Sequence, residues 1–399
     1  MSPWLAIVGI GEDGRNGLSP AALQRLAQAE CVVGGARHLR LAAPLPMRTL
    51  AWPSPIEAAF PEIEAMRGAP VVVLASGDPF YFGVGSLLAR RFAPAEIVAF
   101  PAPSAFSLAA ARLGWGLQEV ACVSLHGRPL EAIIPYLQPR AKLLALAWDG
   151  QTPKRLGDLL AKRGFGETRI DVLEAMGGPK ERRIAFAAQE APDASFADLN
   201  TIALEVVADD GARVVARAPG LPDHWFENDG QITKRAIRAI TLSALSPRRG
   251  ELLWDIGAGS GSVAIEWMLA DCANRAIAVE RDGARADRIR RNALSLGVPA
   301  LEVDNASADE AMRRLPPPDA IFIGGGGPAL FPPAVAALRP GGRLVVNAVT
   351  LQTQAALVDA RARWGGDLTQ IAISDAEPVG RFDGWRAAMP VVQWRVTKR

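Results

Sequence analysis

The chain is expected to be an α/β protein of two domains. Three observations predict this: apolar strand-like runs that end in glycine turns, helix-like segments after those turns, and an aperiodic, proline-bearing stretch between two such series. Its 399 residues suit two to three domains at the usual size of about 100–200 residues. A content of 49% hydrophobic and 22% charged residues supplies a core to each domain and excludes a disordered or fibrous chain.

The first element is a strand from Trp4 to Val8 that runs into Gly9-Ile10-Gly11-Glu12-Asp13-Gly14, and Ser19-Pro20 opens a helix reaching Ala29. The order recurs at Pro70 to Ala75 before Ser76-Gly77-Asp78-Pro79, and at Lys142 to Ala147 before a turn at Trp148 to Pro153. Strands apolar at nearly every position belong to a sheet covered on both faces. From Asp171 to Ala208, adjoining strands predict a mixed sheet that closes the first domain. Residues 209–229 lose periodicity and carry Pro219 and Pro222, so domains are expected over 1–208 and 223–399 with a linker over 209–222.

The second domain begins with a helix from Thr233 to Leu245 and a strand from Leu252 to Ile256, followed by Gly257-Ala258-Gly259-Ser260-Gly261. A helix (Ser262 to Ala270), a strand (Ala276 to Val279) and Glu280 complete a βαβ unit of nucleotide-binding type. Further strands are expected at Ala320 to Ile323, Arg343 to Asn347, Thr369 to Ser374 and Val391 to Val396.

Lys+Arg 44 against Asp+Glu 42 leaves a net charge of +2. No field over the whole molecule favours nucleic acid or an anionic membrane surface, and neither partner is expected. The basic residues are six lysines and 38 arginines, a surplus that suits bidentate recognition of carboxylates and equally follows from compositional bias. Cys31, Cys122 and Cys272 are too far apart for a CxxC metal site or a disulfide framework, so no metal and a reducing compartment are expected. No apolar run reaches the roughly 18 residues of a membrane span, and a soluble, cytoplasmic protein is expected.

Chemistry concentrates at the glycine turns. Gly257, Gly259 and Gly261 let the backbone approach a ligand closely. Asp255 precedes them, able to hold an ammonium, and Glu280 stands where a carboxylate accepts ribose hydroxyls. Asn305 and Ala306, after Asp304, are placed to meet an adenine edge. The Asp255 spacing favours S-adenosylmethionine over a dinucleotide, while a tight turn with no ligand is the plain structural alternative. In the first domain Ser76 to Gly83 sits at a strand's carboxyl end, where open α/β sheets bind ligands. Ser104 and Ser107 open a helix and are equally simple caps. His126 is as readily a structural residue as a functional one.

These residues carry a resemblance. The strings GIGEDG, SGDPFYFG, PSAFS and SLHGR make the first half resemble the tetrapyrrole (corrin/porphyrin) methylases, a two-lobed α/β fold that binds S-adenosylmethionine. Many members have a proline in the first loop, where this chain has Glu12-Asp13. The strings ITKRAIRAITLSAL, LWDIGAGSGSVAIEW, AVERD, PDAIFIGGGG and LRPGGRLVVNAVTLQTQ make the second half similar to the class I, Rossmann-like, decarboxylating methyltransferases of the cobalamin pathway. The resemblance implies methylation of a small-molecule precorrin at meso carbons C-5 and C-15 with decarboxylation of the ring-C acetate at C-12, decarboxylation and one methyl transfer belonging to residues from about Gly220 onward. It implies two S-adenosylmethionine sites, one around Gly9, Gly11, Gly77, Asp78, Pro79, Ser104, Ser107 and His126, the other around Asp255, Gly257, Gly259, Gly261, Glu280, Asn305 and Ala306. It also implies a homo-oligomer.

A precorrin carries many carboxylates, which makes Lys234, Arg235, Arg238, Arg381 and Arg386 candidates for binding it, with Gly325 and Gly326 bringing backbone amides against a broad ring. No activated protein nucleophile is needed for methyl transfer to an electron-rich carbon, and positioning supplies much of the rate. The competing readings are a two-domain methyltransferase acting on RNA or protein, which predicts a basic aromatic face and salt-sensitive binding, and a non-catalytic binding module.

Overall fold

The structure, a computed structural model, describes residues 3–399. Contacts divide it into two units: the chain before Glu131 with Tyr136–Arg213, and Glu131–Pro135 with Val214–Arg399.

The first unit holds two sheets. β1 (Leu5–Ile10), β2 (Cys31–Gly34), β3 (Arg48–Ala51), β4 (Val71–Ser76) and β5 (Ile97–Phe100) form an all-parallel sheet in the order β3-β2-β4-β1-β5. Successive side chains of a strand point to opposite faces, so Leu5, Ile7, Val71 and Val73 pack in one core and Ala6, Val8, Val72 and Leu74 in another. That is why these runs are apolar throughout rather than alternating. Ser19 caps the helix Pro20–Ala27 by accepting from the Ala22 amide at 3.2 Å. The second sheet contains β6 (Val120–Ser124), β7 (Lys142–Leu146), β8 (Arg169–Glu174), β9 (Arg182–Ala187) and β10 (Asn200–Glu205), in the order β6-β7-β10-β8-β9. Only β6 and β7 run parallel, so this sheet is mixed.

The second unit is built on one sheet in the order β13-β12-β11-β14-β15-β19-β16. Its strands are β11 (Leu252–Ile256), β12 (Arg275–Val279), β13 (Glu302–Asp304), β14 (Ala320–Ile323), β15 (Arg343–Ala348), β16 (Asp367–Ile371) and β19 (Val391–Thr397). The first five are parallel, and β19 lies antiparallel between β15 and β16. From β11 the chain winds outward through β12 and β13, then crosses back to β14 on the other side, leaving a crevice at the carboxyl end of β11. The single strand expected over Thr369 to Ser374 is instead a break: the sheet ends at Ile371, and β17 (Ser374–Val379) pairs only with β18 (Phe382–Ala387) in a separate ribbon. The polar makeup of that ribbon hides it from periodicity.

A buried ion pair organises the start of this unit. Arg238, in the helix Arg235–Leu245, is fully buried. Its Nε donates to Glu266 Oε1 at 2.6 Å, its Nη1 to Thr233 O at 2.6 Å and Asp223 Oδ1 at 3.1 Å, and its Nη2 to Leu221 O. The guanidinium also stacks 4.7 Å from the Phe226 ring centroid. Glu266 in turn accepts from the Gly220 and Leu221 amides at 2.6 and 2.8 Å.

Asp255 on β11 is 1% exposed, and its Oδ2 accepts from the Ala264 amide at 3.0 Å, tying the strand to the first turn of the helix Ser262–Ala270. Burial pushes its pKa up to about 7, helped by the nearby Glu280 charge and opposed by the Ala264 hydrogen bond. Of the three thiols Cys31 is buried, Cys122 half-buried and Cys272 exposed, and all are free. No described helix is long and apolar enough to cross a membrane.

Two stability experiments follow from this arrangement. Removing one partner of a buried pair strands the other charge, so Glu266→Ala should lower unfolding stability by about 3–5 kcal/mol, read from chemical denaturation. Asp255, raised from an unfolded value of about 4, contributes stability that is complete below that value and is lost as pH rises toward 7. Asp255→Asn cannot ionise, so wild-type stability minus that of Asp255→Asn should fall between about pH 4 and pH 7. A constant difference would show that the carboxyl titrates normally.

Candidate active site

The crevice at the end of β11 opens into a cavity of about 1290 Å³ lined within the second unit. The glycine turn forms one wall. Gly259 has φ +60 and a side chain there would press to 2.9 Å from Gln231 O, while one at Gly261 (φ +74) would lie 2.7 Å from Ile289 Cγ2. Both positions therefore require glycine. The Gly257 and Ala258 amides donate to Val279 O at 3.0 and 3.2 Å, which fastens the turn to β12.

Glu280 lines the cavity directly after β12. Its Oε2 accepts from the Gly259 amide at 2.9 Å and its Oε1 from the Asp282 amide at 3.0 Å. A carboxylate offers about four acceptor positions, so two backbone bonds orient it and leave capacity for a ligand's hydroxyls. Ala306 and Ser307 continue the wall after β13, and Gly324, Gly325 and Gly326 continue it after β14. Nothing lies within 4 Å of where a Gly325 side chain would begin, so that backbone is open.

The structure separates the five basic candidates. Lys234 and Arg235 line the cavity, Arg235 with its Nε on Gly220 O at 2.8 Å. Arg238 does not, because its guanidinium is spent inside the fold. Arg381 and Arg386 belong to the ribbon and its turn, Arg381 over the Phe382 ring and Arg386 paired with Glu377 at 2.8 Å, and neither lines the cavity. Two further candidates are not among the residues that line the cavity. Asp255 lies beneath the turn with its Oδ2 accepting from the Ala264 amide. Asn305 donates its Nδ2 to Glu280 O at 2.8 Å, which braces Glu280.

Several lining residues escaped sequence reasoning. Asn347, at the carboxyl end of β15, lines the cavity while its Nδ2 donates to Thr241 Oγ1 at 2.8 Å and its Oδ1 accepts from Gln393 Nε2 at 3.0 Å. A polar residue ending an apolar strand was the available signal. Arg285 lines the cavity and pairs with Asp229 at 2.9 Å, and the Arg285 and Arg288 guanidinium groups hold the Asp229 carboxyl far below the usual range. Asp375 and Met389, flanking the ribbon's base, also lie on the wall.

In the first unit, loops after β1, β4 and β5 converge. A side chain at Gly9 would lie 1.9 Å from Gly77 O, and the Ala102 amide donates to that same oxygen at 3.2 Å. Gly11 sits beside Asp13, Asp78 Oδ1 accepts from the Phe80 amide at 2.8 Å, and Pro79 is buried. Ser104 is the cap of the helix Ala105–Leu113, its Oγ accepting from the Ser107 amide at 3.0 Å and lying 2.9 Å from Ser107 Oγ. His126 stands exposed on a turn after β6 of the other sheet, whose Cys122 is hydrogen-bonded to Tyr81 of the loop after β4. Phe80, Tyr81 and Phe82 are all partly exposed, with Tyr81 and Phe82 5.1 and 5.7 Å from Phe106 between ring centroids. Burial, with a hydrogen bond to Cys122, pushes Tyr81 up to about 12.

Comparison with known proteins agrees with this division. A family profile described as tetrapyrrole (corrin/porphyrin) methylases matches residues 5–192, and one described as a precorrin methyltransferase domain matches residues 224–398. A precorrin-6Y C(5,15)-methyltransferase [decarboxylating] of a Sinorhizobium species is 54% identical over 100% of this chain and 97% of its own length. Two shorter relatives cover less than half of the chain. A Pyrobaculum calidifontis protein named "Probable cobalt-precorrin-6B C(15)-methyltransferase (decarboxylating)" is 35% identical over 43% of this chain and 93% of its own. A Salmonella typhimurium cobalt-precorrin-7 C(5)-methyltransferase is 30% identical over 45% of this chain and 88% of its own. With a relative aligned from end to end and a matching profile in each half, the chain belongs to the precorrin-6Y C(5,15)-methyltransferase (decarboxylating) family.

Proposed function

We propose that the chain methylates precorrin-6Y, or its 6B form, at C-5 and C-15 with S-adenosylmethionine as donor and removes carbon dioxide from the ring-C acetate at C-12, giving precorrin-8x in cobalamin synthesis. The observation that carries this reading is the single cavity where a glycine turn, Glu280 and the basic pair Lys234 and Arg235 meet. Its volume of about 1290 Å³ exceeds the roughly 300–1,000 Å³ of ordinary small-molecule pockets, which leaves room for a broad acceptor beside a nucleoside donor.

The donor set fits S-adenosylmethionine: Glu280 keeps acceptor capacity for ribose hydroxyls, and the turn offers close backbone approach. When bound, that molecule supplies an electrophilic methyl group. The chain's own residues align and enclose. Lys234 and Arg235 meet substrate carboxylates, and Gly324 to Gly326 let the macrocycle lie against backbone. Loss of carbon dioxide leaves an electron pair that the conjugated ring accepts, so the protein needs to supply shape and a proton rather than a strong base.

A second donor site in the first unit is part of the proposal, supported by the convergence of Gly9, Gly77 and the Ser104 cap. Self-association is also part of it, supported by the ribbon β17–β18, whose Val379, Phe382 and Trp385 stand exposed. Two-stranded hairpins standing alone are marginal in water.

The founding experiment is incubation of the chain with reduced precorrin and labelled methyl donor, followed by mass analysis: two methyl groups gained and one carbon dioxide lost. Calorimetric titration with the donor should saturate at two per chain, and one per chain with both units folded refutes the second site. Glu280→Ala removes charged hydrogen bonds worth roughly 1.5–3 kcal/mol, so one of the two sites should weaken about ten- to 150-fold while the other keeps its affinity. Val215 and Leu221 are buried in the second unit's core with Ile134, so a fragment should begin at Val214, with its folding verified by circular dichroism because Glu131–Pro135 is left out. Given substrate and donor, it should add one methyl group and release carbon dioxide; methylation without that release would move decarboxylation to the first unit.

A further inference from the structure

Three neighbouring strands of the first parallel sheet each deliver polar side chains to one network at their carboxyl ends. Glu12 comes from the loop after β1, Arg37 and His38 from the helix Ala36–Ala42 after β2, and Ser76 is the last residue of β4. Arg37 Nη1 is ion-paired with Glu12, and Arg37 Nη2 donates to Ser76 Oγ at 2.9 Å and sits 3.2 Å from His38 Nε2. His38 Nε2 lies 2.8 Å from Ser76 Oγ.

The hydrogens in this network can be assigned by elimination. A guanidinium has donors only, so the His38 nitrogen that faces it carries the lone pair, and the ring proton falls on Nδ1, which is buried without a hydrogen-bond partner. That one lone pair faces both the Arg37 donor at 3.2 Å and the Ser76 hydroxyl at 2.8 Å, and the nearer Ser76 hydroxyl donates to it. Ser76 Oγ thus receives from Arg37 and donates to His38, with one lone pair left over. Burial and the Arg37 charge lower His38 to about 4, which keeps the ring neutral at physiological pH. Ser76 itself is exposed. The Gly77 amide donates to Ile10 O at 3.2 Å and Gly77 O accepts from the Ala102 amide, so Ser76 is held among the loops proposed above to bind the donor.

Methylation of an enamine carbon leaves positive charge on the conjugated ring nitrogen. For the product to be neutral that nitrogen's N–H bond must break, with its electron pair staying on nitrogen and the proton leaving to a base. We propose that Ser76 is the group in the first unit that takes this proton from the tetrapyrrole, handing its own hydroxyl proton to His38 Nε2, with Arg37 and Glu12 as positioning residues; the inference rests on the methyl transfer proposed for that unit. One O–H bond forms at Ser76 as another breaks, and the imidazolium formed at His38 returns its proton from Nε2 through the exposed Ser76 hydroxyl to water, Nδ1 being buried.

The test uses the full chain with reduced precorrin and labelled donor. Wild type should add two methyl groups and lose carbon dioxide. Proton transfer by a positioned side chain contributes roughly 10²–10⁴-fold, so Ser76→Ala should slow one methyl transfer by about that factor. A decarboxylated product short of one methyl group then accumulates, while donor affinity and stoichiometry by calorimetry stay at wild-type values. His38→Gln should slow the same step and remove its solvent deuterium isotope effect, which a merely structural role would not alter. Nitrogen-15 spectra of the unliganded protein should show His38 protonated at Nδ1. If wild type yields no methylated, decarboxylated product, the functional reading falls. If wild type does so while Ser76→Ala keeps pace in both transfers, or His38 is protonated at Nε2, the proton-acceptor inference is overturned.

Discussion

The buried pair of Arg238 and Glu266 is the constraint on which the second unit's site depends. Neither charge has access to water, so each must find all its partners inside, and those partners are the backbone of Gly220, Leu221 and Thr233 together with Asp223. A segment with little secondary structure of its own is thereby held in one place. The cavity rim inherits that order, since Gly220, Asp223, Thr233, Lys234 and Arg235 all line it. Such pairs add little net stability compared with apolar packing; here the return is geometric, because Lys234 and Arg235, the cations that line the cavity, shortly precede Arg238 in the same segment.

Three acidic residues close the first three strands of the same sheet and meet different fates. Asp255 is sealed under the turn and leans toward its neutral form. Glu280 is held by two backbone amides at the cavity wall. Asp304 is engaged by the Arg314 guanidinium. Environment, not residue type, decides which of them can meet a ligand, and only the middle one combines a cavity position with preorganised oxygens.

Local signals made most of this readable. The strands β1, β4, β11, β12, β14 and β15 and the glycine turn announce themselves because apolar runs and glycine punctuation act over a few residues, while the short strands β2, β3, β5 and β13 go unannounced. What stayed hidden depends on partners distant in sequence. Arg238 reads as a substrate-binding candidate until Glu266, 28 residues away, is folded beside it. Asp255 reads as a ligand until the following helix claims it. The ribbon β17–β18 has no buried face and hence no periodicity to detect, and Asn347 owes its position to Thr241 and Gln393 on either side of it in sequence. The Glu12, Arg37, His38 and Ser76 network is assembled from a loop, a helix and a strand end far apart in sequence, so no string of neighbouring residues reveals it.

The three free thiols divide the molecule by reactivity. Burial raises the pKa of Cys31 and Cys122, both in the first unit, and so withholds the thiolate that electrophiles attack. Cys272 is exposed two residues beyond the helix Ser262–Ala270, whose other end carries the glycine turn. A maleimide fluorophore applied to the unaltered protein under native conditions will therefore mark the second unit alone, giving a built-in optical reporter on the helix that backs its cavity.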